Sequence, residues 1–120
     1  MDINKILSDA PAKISEYAEN ENKCYADMVT WHEEYKRMRA KTYLETKTTK
    51  DMTAKDLDYF LDNHSDLNII KDKELQAEIE YRSWRQKKEK ARDYFTMAME
   101  LGRNQRAEFY SLNDTIKEKP

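Results

Sequence analysis

Apolar and large side chains recur at alternating spacings of three and four along most of this chain. Ile14, Tyr17, Glu21, Cys24, Met28, Trp31, Tyr35, Met38 and Thr42 form one such stripe. That spacing lays the residues down one face of a helix. Ser8 or Asp9 would cap this helix, with Pro11 in its first turn and its end near Glu45. Residues 1–10 would form a short N-terminal segment whose Ile3, Ile6 and Leu7 make an apolar turn. The pattern then breaks across Thr-Lys-Thr-Thr-Lys-Asp-Met, and the polar β-branched run over 46–52 predicts a mobile loop.

Periodicity resumes after Thr53, whose hydroxyl is placed to cap a short helix carrying Leu57, Phe60 and Leu61. This helix should stop near Asn63 and His64. Ser65 or Asp66 can open a last long helix. Its stripe is Leu67, Ile70, Glu74, Ala77, Tyr81, Trp84, Lys88, Ala91, Phe95, Ala98, Gly102, Gln105, Phe109 and Leu112. Gly102 on the stripe marks a bend, an end or a close approach by another segment. A frayed tail is expected over 113–120. The fold class is all-α: a single domain over 1–120 with two long helices and a short connecting one, forming an elongated antiparallel hairpin.

Composition supports that picture. One glycine and two prolines in 120 residues leave few places to turn. Hydrophobic residues are only 38% of the chain, a thin core for a monomer, so self-association into a homo-oligomer is expected. With no signal-type leader and no long apolar run, the expected location is cytoplasmic, away from membranes.

Catalytic chemistry finds no purchase. His32 begins a zinc-protease-like helix motif but has no second histidine four residues on. One glycine cannot build a phosphate loop. Cys24 lies on the packing stripe, and Glu33 and Glu34 do not share a helix face. The chain is therefore expected to be non-enzymatic, with neither metal nor cofactor. Asn63-His64-Ser65 and Asn113-Asp114-Thr115 are chance glycosylation triplets in such a chain.

Charge is the informative feature. The total is −2, yet residues 36–50 and 82–92 each carry +5, leaving −12 elsewhere. Segregated charge makes local fields even near overall neutrality. The candidate nucleic-acid contacts are Lys36, Arg37, Arg39, Lys41 and Lys47 in the first segment. In the second they are Arg82, Arg85, Lys87, Lys88 and Arg92. Tyr81, Trp84, Tyr94 and Phe95 interleave with or flank the second group. Cations offset phosphates and aromatic faces stack on unpaired bases. A solvated basic face, with its aromatics turned into the core, explains the same residues.

The order of features resembles the UvsY-type recombination mediators of bacteriophages. The resemblance is carried best by Lys36-Arg-Met-Arg-Ala-Lys-Thr-Tyr43, a basic, tyrosine-ending run before a loop. It is carried less closely by Gly102-Arg-Asn-Gln-Arg-Ala-Glu-Phe109. It spans roughly 17–110, matching in pattern rather than letters through the middle. The loop lacks the glycine the family often has after the tyrosine. Such mediators are non-catalytic, oligomeric and bind single-stranded DNA. The resemblance implies a recombination accessory of phage origin, acting in the bacterial host cytoplasm. Its partners would be single-stranded DNA, a recombinase and a single-strand binding protein. Arg39 and Lys41 would stand at the family's basic contact pair. A helical adaptor or inhibitor, docking acidic surface on a host protein, is the alternative expectation.

Overall fold

The computed structural model describes the backbone over residues 2–118 and side chains over 2–111. It is all-α, with α1 over Ile3–Thr49, α2 over Ala54–Asp62 and α3 over Ser65–Glu118. The stripes forecast the packing closely. Every α1 stripe position from Ile14 to Thr42, and every α3 position from Leu67 to Gly102, is buried or half-buried. Gln105 and Phe109 are exposed, and the Leu112 side chain lies outside the described residues.

Three boundaries differ from expectation. The segment over 1–10 is not separate: α1 starts at Ile3, with the Asp2 carboxylate accepting from the Lys5 backbone N–H at 3.1 Å. Pro11 therefore lies inside a helix, where it cannot donate to the Leu7 carbonyl. The turn before it compensates by packing, with Ile3, Ile6 and Leu7 half-buried and Ala10 buried. At the other end α1 passes Glu45 and runs to Thr49, so the loop expected over 46–52 shrinks to residues 50–53. Threonine hydroxyls make this extension workable. Thr48 and Thr49 each donate to the Glu45 carbonyl, at 3.0 and 2.7 Å, and Thr46 is buried. Finally, the backbone stays helical through Glu118 where a frayed tail was expected. Residues 119–120 lie outside the described residues, as do the Asn113, Asp114 and Thr115 side chains.

The capping expectation for α2 holds. The Thr53 hydroxyl accepts from the Asp56 N–H at 3.2 Å, and Asn63 closes the helix by donating to Tyr59 and Leu61 carbonyls. The His64 carbonyl accepts from Asn68 at 3.0 Å, so α3 starts one residue on, at Ser65.

The chain divides into two compact units. The central unit is Asn20–Trp84, and the terminal unit combines Met1–Glu19 with Arg85–Pro120. In the central unit α1 and α3 run antiparallel. Cys24 meets Glu80, Tyr25 stacks near Tyr81 with centroids 5.5 Å apart, and His32 pairs with Glu74 at 2.7 Å. At one end Leu57, Leu61 and Leu67 form a buried cluster, with Tyr35, Met38, Tyr43, Met52 and Phe60 packed around it. In the terminal unit the same antiparallel arrangement sets Ile3 opposite Gly102. A Cβ built on Gly102 would lie 3.9 Å from Ile3 Cγ2, and the glycine has no positive φ. Gly102 marks neither a break nor a forced close approach, since an added Cβ would sit at ordinary contact distance. The buried residues here are small: Ala10 and Ala98.

Candidate nucleic-acid interface

The two basic segments meet different fates. In the first, α2 and its flanks bring five aspartates and one lysine, over residues 51–66, against the basic end of α1. Arg39 is held by Asp62 at 3.1 Å and Asp58 at 3.9 Å, and also donates to the Tyr35 hydroxyl at 3.3 Å. Partial burial alone would lower the Arg39 pKa. The bonds to Asp62 and Tyr35 and the Asp62 charge outweigh it and raise the pKa above its usual value.

The neighbouring cations are also engaged. Lys36 lies 3.8 Å from Glu33, and Arg37 is bonded to Glu34. Lys47 sits over the Tyr43 ring at 5.7 Å and Lys50 over Phe60 at 4.8 Å. Lys41 is exposed. The first +5 segment is thus largely folded back onto its own carboxylates and rings. Counting charge within 36–50 missed this because Glu33 and Glu34 lie just before that segment and Asp58 and Asp62 lie on another helix.

The second segment divides between the units. Arg82, in the central unit, pairs with Glu78 at 2.6 Å. Arg85, in the terminal unit, pairs with Glu89 at 3.3 Å. Lys88 is half-buried on the stripe, where its aliphatic stem can pack, and Arg92 is exposed. Trp84 and Phe95 are half-buried, in line with the core alternative, as is Tyr81.

Lys87 does something the sequence did not reveal. It lines a groove of about 430 Å³ between the two helices of the terminal unit, together with Lys90 and Tyr94 of α3. From α1 the groove receives Lys5, Lys13 and Tyr17. Asp9 supplies the one carboxylate among the described residues that line the groove, and Lys87 and Tyr17 each hold a further interaction within the chain. Tyr94 is 44% exposed, and the Lys90 ammonium lies 6.0 Å from its ring centroid. Apolar Ile6, Ala10 and Ala91 complete the lining. Lys5 and Lys13 are isolated in sequence and fall in no basic run. The signal that finds them is the antiparallel register, which carries Lys13 and Tyr17 to the level of Lys87, Lys90 and Tyr94.

The remaining chemistry is sparse. Burial, and then the charges of Glu80 and Asp27, push the Cys24 thiol above its usual pKa, which disfavours a thiolate nucleophile. His32 is exposed beside Glu74, while His64 is half-buried and edge-on to Phe60 at 5.7 Å. Among the described residues no three His, Cys, Asp or Glu side chains gather as a metal-holding group. No helix there is long and apolar enough to cross a membrane. Comparisons with protein-family models, with curated proteins and with solved structures return no match to this chain.

Proposed function

We propose that this protein is a non-catalytic binder of single-stranded DNA, using the lysine–tyrosine groove of the terminal unit. One observation carries the reading: two helices converge four lysines and two tyrosines on a single groove that holds one carboxylate. The ammonium groups of Lys5, Lys13, Lys87 and Lys90 offset phosphate charge and release counterions. Tyr17 and Tyr94 offer ring faces on which unpaired bases stack. No arginine or amide side chain lines the groove to read base edges in pairs, so the contact is indifferent to sequence.

The resemblance to UvsY-type mediators extends this reading to a recombination accessory that helps load a recombinase. In that role a moderate, salt-sensitive grip suits a protein that hands its strand on.

The test is fluorescence anisotropy of a labelled thymidine oligonucleotide, titrated at several salt concentrations beside a duplex of equal length. Each offset phosphate contributes about −0.7 to the slope of log K against log salt on a single strand. Four lysines therefore set an upper slope of about −2.8. Preference for the single strand is expected, with a slope between about −2 and −2.8. Absent binding, or tighter binding to duplex, would refute the proposal.

A further inference from the structure

A second groove, of about 470 Å³, lies in the terminal unit where α3 runs on past the first turn of α1. Half-buried Ile3, Leu7 and Met99 give it an apolar floor, and exposed Arg103 and Arg106 line it with no carboxylate among the described lining residues. The Arg106 Nε–H donates to the Gly102 carbonyl at 3.3 Å, holding that guanidinium beside the groove. Phe109 and Tyr110 stand 60% and 65% exposed, with ring centroids 6.0 Å apart.

This groove continues an established seam. Between Leu67 and Gly102 every stripe position of α3 is covered, and in the terminal unit the cover is α1. Ile3 reaches Gly102, and there α1 ends. The next stripe positions, Gln105 and Phe109, keep the three-four spacing but are exposed. A helix laid antiparallel on α3, in line with α1, would cover them as α1 covers the rest.

From this continuity, and from the charge of the groove, we infer that it receives an acidic amphipathic helix of another protein. Its apolar stripe would rest on Ile3, Leu7, Met99 and Phe109, and its flanking carboxylates would meet Arg103 and Arg106. A second copy of this chain fits less well. Two copies paired antiparallel through this groove would bring four arginines together without an acid among the described lining residues. Nucleic acid could stack on the exposed Phe109 and Tyr110 rings, but the floor beside them is the aliphatic Ile3, Leu7 and Met99, which suits an apolar helix face better than bases. The inference stands independently of the DNA-binding reading, because it uses different residues.

The experiment uses the full chain and labelled synthetic helical peptides about four turns long. Each carries leucines at three-four spacing, flanked by glutamates in one peptide and by lysines in the other. A third peptide has the acidic composition scrambled. Anisotropy should show the acidic amphipathic peptide binding at least about tenfold tighter than the other two. Arg103→Glu/Arg106→Glu should reverse the preference towards the lysine peptide. Phe109→Ser should weaken the acidic peptide by about fivefold or more. All three positions are exposed, and circular dichroism would verify that the variants keep their helix content. Equal binding of all peptides, or an acidic preference that survives the arginine reversal, would overturn the inference. So would self-association by sedimentation that Phe109→Ser abolishes, or displacement of the bound peptide by a thymidine oligonucleotide.

Discussion

The two basic segments carry the same net charge of +5 and both pair their arginines with nearby acids, yet their lysines end in different settings. Around α2 the cations are absorbed into structure. Arg39 clasps Asp58 and Asp62, Arg37 and Lys36 pair along α1, and Lys47 and Lys50 lie over aromatic rings. In the terminal unit, lysines from both helices gather beside two tyrosines and one aspartate. Charge counted along a sequence therefore says little about charge presented to a ligand. Acids one turn away on the same helix pair with Lys36, Arg37, Arg82 and Arg85, while the helix packed opposite brings carboxylates to Arg39 and further lysines to Lys87 and Lys90.

The largest effect expected concerns the leucine cluster that seats α2, and with it the Arg39 clasp. Leu61 is 1% exposed and packs with Leu57 and Leu67. Leu61→Ala should lower stability by about 2–5 kcal/mol, measured by urea unfolding. A loss below about 1 kcal/mol would mean that α2 is not anchored there. Next, Arg39→Ala should cost about 1 kcal/mol in the same assay, since the ion pair is only partly shielded from water. It should leave DNA affinity within about twofold. A large loss of affinity at unchanged stability would reassign Arg39 from clasp to contact, and the comparison between the segments would fail.

A smaller effect, of opposite sign, is expected in the terminal unit. Alanine at Gly102 would meet Ile3 at ordinary contact distance, and alanine favours helix over glycine by up to about 1 kcal/mol. Gly102→Ala should therefore raise the thermal midpoint by a few degrees. A lowered midpoint would show that the two helices approach more closely at this point than the geometry indicates. The smallest effect concerns Cys24, which should react with a thiol reagent at pH 8 more slowly in the folded chain than in urea. Burial and the nearby Glu80 and Asp27 charges both suppress its thiolate. Equal rates would argue against a packed cysteine.

Much of the fold was legible because helical spacing is local information. From Ile14 to Thr42 and from Leu67 to Gly102, positions chosen by spacing alone are the ones withdrawn from solvent. The Thr53 cap was legible for the same reason. The misplaced boundaries arose where a local rule met a tertiary contact. Pro11 signals a helix start, but the turn before it has α3 to pack against. Thr46 through Thr49 disfavour helix, but Thr46 is buried four residues beyond Thr42 on the same stripe.

The candidate site was only half legible. Lys87 and Tyr94 stand out beside a basic run, whereas Lys5, Lys13 and Tyr17 acquire meaning only when α1 and α3 are set in register. The Arg39 clasp is likewise invisible along the sequence, because its aspartates lie 19 and 23 residues further on.

The most direct measurement compares two charge reversals in one single-stranded DNA titration. Lys13→Glu/Lys87→Glu/Lys90→Glu alters the terminal-unit groove, and Lys36→Glu/Arg37→Glu/Lys41→Glu alters the α1 end of the central unit. The groove variant should bind at least about tenfold more weakly, with a shallower salt dependence, while the other stays within about threefold of the unaltered chain. The reverse ranking, or equal losses from both, would contradict this expectation.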